Sequence, residues 1–469
     1  MRKFYCLFMM VFAITTLQAQ TGGQKFVWLE DQGAFFEINA FSDNKAYAVG
    51  RGMDRAFIYE IKTGKLTYLS QEGDASCAWD VSNDGVVVGI YGTDITSEAC
   101  YWDKTGKMTL LAPEFEIWTT ANGISPTGNI IVGYSTTLDT DEVEGPGISH
   151  PYYWLLGSDN TYKMEKLQEI TAEEYGSDKS GMFTRGIGAN GTILATIQAD
   201  DGQFPLVYYK SYAEKAVYFA KDSMKTQTGP GMFEGDQPFV TCTGEEISED
   251  GNWICCTVSD IKLDEDPGEY YYPSAYSIVE NKFYTSDELL QIDREPAGGV
   301  IDNNGNMFST VASLDPMIGR TIIYIKKGES GSEKIDDYIK ALGEESDPFG
   351  SAVANTVMSI SGDGKMIAGF AITDLRKGWI FDADGTIGGT STSISNVSRN
   401  IGLNCYLSGT MLQLGSDVKQ VALYTVSGEQ VLVADATANG IELNGLTPGV
   451  YVVRMIADGA SVVTKVCVK

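Results

Sequence analysis

Through most of the chain, short apolar runs rich in Val, Ile and aromatic residues alternate with polar stretches carrying Gly, Asp, Asn and Ser. Runs such as Val86-Val87-Val88 and Ile130-Ile131-Val132 are β-branched, too short for helices and bounded by turn residues. They predict buried β-strands. One unit recurs: an apolar residue, Ser or a polar substitute, two turn residues, Gly, then an apolar run. It reads Val81-Ser82-Asn83-Asp84-Gly85, Ile124-Ser125-Pro126-Thr127-Gly128 and Ile187-Gly188-Ala189-Asn190-Gly191. It returns as Ile247-Ser248-Glu249-Asp250-Gly251, Ile301-Asp302-Asn303-Asn304-Gly305 and Ile360-Ser361-Gly362-Asp363-Gly364. Phe41-Ser42-Asp43-Asn44-Lys45 is a degenerate first copy.

Asp-Gly and Asn-Gly supply the positive φ of a tight hairpin turn, and Ser, Asp or Asn side chains bond back to its backbone. Each copy precedes an aromatic strand, such as Ala99-Cys100-Tyr101-Trp102, Tyr152-Tyr153-Trp154 or Gly378-Trp379-Ile380-Phe381. Two copies continue through Lys62-Thr63-Gly64-Lys65 and Lys104-Thr105-Gly106-Lys107 into a fourth strand. Four strands in each of seven repeats predict an all-β, seven-bladed β-propeller over residues 24–388. The seventh copy lacks a fourth strand of its own, and Phe26-Val27-Trp28-Leu29 is the expected strand that completes it and closes the ring.

The repeats resemble the extracellular bacterial HAF repeats, whose core is Ile-Ser-x-x-Gly-x-apolar-apolar-x-Gly with an aromatic third strand. Val81 to Gly89 and Ile124 to Gly133 match best, while blades four to six lose the second glycine. The resemblance implies an extracellular propeller and no particular ligand.

Residues 389–404 are rich in Gly, Ser, Thr and Asn and read as a linker. Residues 405–469 predict a small C-terminal β-sandwich, Ig-like in size. Leu423-Tyr424-x-x-x-Gly428-x-x-Val431, Leu446-x-x-Gly449-Val450-Tyr451 and Lys465-Val466-x-Val468-Lys469 together resemble the type A sorting domain of type IX secretion substrates. Thr425 stands where that family usually has Asn, and Cys467 is unusual so near the end. The resemblance implies the secretion machinery as a partner and delivery to the outer surface of a Gram-negative bacterium.

The N-terminus agrees with export. Arg2 and Lys3, the apolar stretch Phe4 to Thr16 and Leu17-Gln18-Ala19 read as a signal peptide over residues 1–19. No later run is long and apolar enough to span a bilayer. Once residues 1–19 leave, 32 basic residues face 63 acidic ones, a net charge of −31. That excess excludes nucleic acid as a natural partner. It serves solubility and can attract cations. Seven cysteines then remain, an odd number. Cys255 and Cys256 read as core fillers, and Cys405 and Cys467 could be bridged.

No catalytic constellation stands out. His150 is the sole histidine, with no nucleophile elbow near it. Asp302-Asn303-Asn304-Gly305 and Asp382-Ala383-Asp384-Gly385 resemble calcium-loop starts, but Ser313 and Ser393 occupy the twelfth position where such a loop needs Glu. The acids are unevenly spread. The connections between second and third strands in blades two to five (residues 92–98, 136–149, 198–203 and 260–273) carry a net −12, and those of the other blades +2. The two longest hold Asp139, Asp141, Glu142 and Glu144, and Asp264, Glu265, Asp266 and Glu269, with Tyr270-Tyr271-Tyr272 following. Long loops carry function more often than tight turns. These acids are therefore candidate Ca²⁺ ligands, and Tyr270, Tyr271, Tyr272, His150 and Tyr152 candidate contacts for a sugar or peptide. The reading is a surface or secreted binding protein for a glycan, protein or matrix component. The alternatives are a polysaccharide hydrolase or lyase and a purely structural surface protein.

Overall fold

The computed structural model describes residues 24–29, 35–92, 97–111, 118–137, 148–175, 180–199, 205–219, 228–230, 236–238, 241–259, 270–286, 291–292, 299–312, 320–329, 331–344, 348–350, 352, 354–372 and 376–388 of the first unit. In the second it describes 405–408, 411–414, 418–425, 430–435, 440–443, 445–447, 449–457 and 460–468. The chain divides into two compact units, residues 1–390 and 391–469. The signal-peptide segment lies outside the described residues.

The first unit is a seven-bladed propeller of four-stranded antiparallel meanders. The innermost strands are Phe36–Phe41, Ser76–Val81, Trp118–Ile124, Ser180–Ile187, Thr241–Ile247, Gly299–Ile301 and Ala354–Ile360. Each neighbours the next around the ring, and the last neighbours the first. The seventh blade is completed by Phe26–Leu29, which pairs antiparallel with Arg376–Asp382 in the register Phe26↔Phe381 to Leu29↔Gly378. The N-terminal strand thus closes the ring as its sequence predicts.

The repeat unit is explained atom by atom. In blade two the Gly85 N–H donates to the Ser82 carbonyl and the Val86 N–H to the Ser82 hydroxyl, at 3.0 Å each. The same hydroxyl bond recurs at Ser125, Ser248 and Ser361, and Asp302 substitutes its carboxylate in blade six. The turn glycines all take positive φ, from 72° at Gly128 to 86° at Gly191. In the degenerate first copy Lys45 itself takes φ 55°. The second glycine of the repeat has a different cause. A Cβ on Gly50, Gly89, Gly133 or Gly369 would stand 1.9–2.0 Å from a carbonyl oxygen of the adjoining inner strand. Blades five and six, which lack it, place Gly244 and Gly299 opposite Cys256 and Ser309 instead.

Blades pack face to face, so strands are apolar on both sides. Val49 and Ala56 of blade one share a core with Ala78, Val87 and Trp102 of blade two. The aromatic third strands supply the largest wedges, with Trp102, Trp154 and Trp379 fully buried. Cys77, Cys100, Cys255 and Cys256 are buried thiols outside any disulfide, acting as small core residues. Among the described residues two helices interrupt the β pattern. Ile335–Ala341 buries Ile335 and Ile339 against Phe308 and Phe349, and Ala172–Tyr175 makes a single turn before blade four.

The second unit comprises a three-stranded sheet (Cys405–Ser408, Met411–Leu414, Ile441–Glu442) and a four-stranded one built on Gln420–Thr425 and Gly449–Ala457. They share one core holding Leu412, Leu423, Ile441, Tyr451 and Val453. Several residues of the three C-terminal motifs therefore serve packing: Leu423, Tyr451, Val466 and Val468 are all buried.

Candidate functional site

In every blade the inner strand starts on the face of the long second-to-third-strand connections and ends at the Ser-x-x-Gly turn. The ring therefore has a loop end and a turn end.

The turn end is stitched shut. Asn83 N–H donates to the Pro126 carbonyl of the next blade, Ala189 N–H to Glu249, and Asn303 N–H to Gly362. Asn44 bonds Asn83 through backbone and amide, and Lys45 pairs with Asp363 at 2.7 Å across the closure. Glu249 reaches over blade six so that the Gly362 N–H donates to its carboxylate. A Cβ on Gly362 would lie 2.5 Å from that carboxylate.

Just inside this lid, six of the seven inner strands carry a register shift or its equivalent one turn before the Ser. Five of those shifts flank Asn39, Trp79, Asn122, Glu245 and Met358, and a sixth flanks Arg185. The residue after each is small in four blades: Ala40, Gly123, Gly186 and Ser359. In blades two and five it is Asp80 and Glu246. Gly123 and Gly186 approach so closely that a Cβ on the former would sit 3.1 Å from the latter's Cα. The two acids thus flank a pair of glycines.

Their surroundings raise the proton affinity of both. Burial pushes the Asp80 carboxyl up to about 7, against the backbone N–H groups of Ile124 and Val81, with the charge of Asp43 adding to the rise. Glu246 is pushed well above the ordinary carboxylate range, chiefly by burial and then by the charge of Asp80. Burial likewise lifts Asp43 to about 6 and Glu249 to about 8. Chemically, such protonated carboxyls can donate hydrogen bonds or act as general acids. Among the described residues, no three His, Cys, Asp or Glu side chains gather closely enough to hold a metal ion.

The loop end carries part-buried aromatic side chains. Trp118 lies 6.5 Å from Tyr134, and Tyr134 lies 5.6 Å from Phe183 of the next blade. The Arg185 guanidinium stands over Phe183 at 4.8 Å.

The sequence-predicted residues fall as follows. Asp139, Asp141, Glu142, Glu144, Asp264, Glu265, Asp266 and Glu269 lie outside the described residues. Tyr270 and Tyr271 have a described backbone only, in the strand Tyr270–Ser277. Tyr272 requires a correction: it is 2% exposed and packs with Leu194, Leu206, Val258 and Tyr276. Period-two alternation turns it into the core, so it offers no surface for stacking. His150 sits on the third strand of blade three, its Nδ1 2.7 Å from Glu169 Oε1. Tyr152 follows two residues on and packs against the cluster of Trp154 and Ile131. The calcium-like starts are turn caps: Asp302 accepts the N–H groups of Asn304 and Asn306, and Asp382 those of Asp384 and Thr386.

Sequence reasoning missed Asp80 and Glu246, although a signal exists. With the repeats aligned on the Ser-x-x-Gly turn, an Asp and a Glu interrupt a column that otherwise holds small residues and one valine.

No family model matches the chain, and no curated protein matches it either. Among solved structures, it is similar to a prolyl endopeptidase at 11% identity and TM-score 0.43, covering 93% of this chain and 55% of that one. A puromycin hydrolase matches at 11% identity and TM-score 0.40 over 74% of this chain and 50% of its own. The dipeptidyl peptidase 4 of Porphyromonas gingivalis matches at 12% identity and TM-score 0.33, over 70% and 48%. The chain spans about half the length of these proteins.

Proposed function

We propose that this is an exported surface protein whose propeller binds an extracellular glycan, protein or matrix component at its loop end. HAF-type repeats carry the binding face, and a type IX sorting domain supplies the address. The observation that carries the reading is the aromatic step Trp118–Tyr134–Phe183 at the loop end. Aromatic faces at a ring mouth suit the C–H faces of sugars and apolar peptide side chains. The acidic connections can add Ca²⁺ as a bridging cation.

A glycan and matrix-protein array probed with residues 20–469 tests this. Binding that falls about tenfold in Trp118→Ala and Tyr134→Ala supports it; binding unaffected by either removes it.

One observation favours a second reading. Asp80 and Glu246 stand at matching positions of two inner strands, burial raises both carboxyls above the ordinary range, and a polysaccharide hydrolase or lyase could use them as acid and base. Under that reading, Asp80→Asn and Glu246→Gln abolish depolymerisation of a polysaccharide that the array identifies, while binding persists.

A further inference from the structure

One cationic cluster stands apart in this acidic chain. At the seam where blade one meets blade seven, Glu37 is 7% exposed and holds two guanidinium groups. Arg51 meets its Oε1 through Nε at 3.1 Å and Nη2 at 3.0 Å, and Arg376 meets its Oε2 through Nη1 at 2.8 Å. Two cations thus share one anion, leaving a surplus positive charge where acids outnumber bases by 29 along the chain.

The rings around them dictate what remains available. The Arg376 guanidinium lies 4.4 Å from the Phe35 ring centre and 4.3 Å from that of Phe370. Arg51 stands 5.2 Å from Phe35. With rings against it and one nitrogen spent on Glu37, Arg376 offers its remaining edge. Both arginines keep about a third of their side-chain surface open, at 29% and 32%. A held, partly dehydrated guanidinium edge is the geometry that grips a planar carboxylate through two parallel N–H bonds.

We propose that this seam is a carboxylate-binding site for an acidic saccharide, with Arg376 gripping a uronate carboxyl and Arg51 reinforcing the charge. The proposal rests on the loop end being the binding face and names the ligand class there. Arg51 ends the second strand of its blade and Arg376 begins the third strand of its own, so both stand at the loop end. The chain's net negative charge repels dense polyanions, which favours a sugar bearing isolated carboxyls over a polyphosphate. Beside the pair, Met53 is 46% exposed and its N–H donates to the Phe35 carbonyl. It adds an apolar surface for a pyranose C–H face, which a peptide carboxylate would not require.

The test is titration calorimetry of residues 20–469 with di- and trisaccharides ending in glucuronate or galacturonate. The comparison ligands are their carboxyl-reduced neutral forms, and peptides ending in carboxylate or amide. The account expects a uronate to bind about tenfold or more tighter than its neutral form, weakening as salt rises. Arg376→Lys keeps the charge and the contact to Glu37 but loses the edge. It should lose about tenfold in uronate affinity with its melting temperature within a few degrees of the parent. Equal affinity for charged and neutral sugars, an unchanged Arg376→Lys variant, or selection of peptide carboxylate over amide would each overturn the site while leaving the loop-end reading in place. Absence of binding to every saccharide and protein on the array removes both.

Discussion

Single residues carry two separable demands in this repeat, a positive φ in the turn and close approach between strands. The two kinds of glycine should respond differently to substitution. Gly89→Ala or Gly133→Ala drives a methyl into a carbonyl oxygen and should lower the denaturant-derived stability by about 2 kcal/mol or more. Gly106→Asn, with φ 83° and nothing within 4 Å of a Cβ, should cost only a few tenths of a kcal/mol. The half-buried acids give a pH signature of unusual sign. Asp80, Glu246 and Glu249 have folded-state values raised above their unfolded ones, so between pH 4 and 8 the folded chain holds more protons than the unfolded chain. Their contribution is complete at the acid end of that window and is lost as pH rises through about 7 to 8. The melting temperature should therefore fall by several degrees from pH 6 to pH 9, and Asp80→Asn with Glu246→Gln should flatten that slope. A slope unchanged in the double variant would show that other groups set it. At this scale the sequence was legible where chemistry is local. Ser82, Asp84 and Gly85 announce their turn. Asp80 interrupts a column of small residues, but the burial and the Asp43 charge that raise its carboxyl arise only once the blades close into a ring.

Among the elements, the strand Phe26–Leu29 is the most consequential, since it joins the two ends of the ring without a covalent bond. Its Phe26 and Trp28 rings pack against Phe349, and Phe26 stacks on Trp379 at 6.3 Å. Replacing both by Ala should lower the melting temperature by roughly 5 to 10 °C and open blade seven to protease before the other blades. Cleavage that begins instead in blades two to four would argue against this strand as the clasp. The clasp was readable because the seventh repeat visibly lacked a fourth strand and Phe-Val-Trp-Leu was left over. The helix Ile335–Ala341 was not anticipated. Its apolar pair, Ile335 and Ile339, sits at helical spacing, but two residues carry too weak a period against a chain of strands. Tyr272 was misplaced for a related reason: in a Tyr-Tyr-Tyr run, the neighbouring blade decides which ring is buried.

For the whole molecule, the address and the binding face are separate properties and can be tested separately. Expressed in a bacterium that possesses type IX secretion, the chain lacking residues 405–469 should accumulate in the periplasm rather than on the cell surface. Surface display of the truncated chain would refute the sorting role. The propeller architecture was legible because its repeats state their turns in sequence. The proposed binding face shows in the sequence only as a charge pattern, since which connections share an end follows from topology rather than from composition. The central claim, that recognition occurs at the loop end and not at the laced turn end, is open to a blocking measurement. Met53→Cys places a thiol at the loop end, and Asp84→Cys places one on an exposed turn at the other. Each variant is coupled to a bulky maleimide polymer and compared with reagent-treated parent protein for binding to the array's best ligand. The account predicts that the adduct at residue 53 abolishes binding and the adduct at residue 84 leaves it intact; the reverse pattern would contradict it.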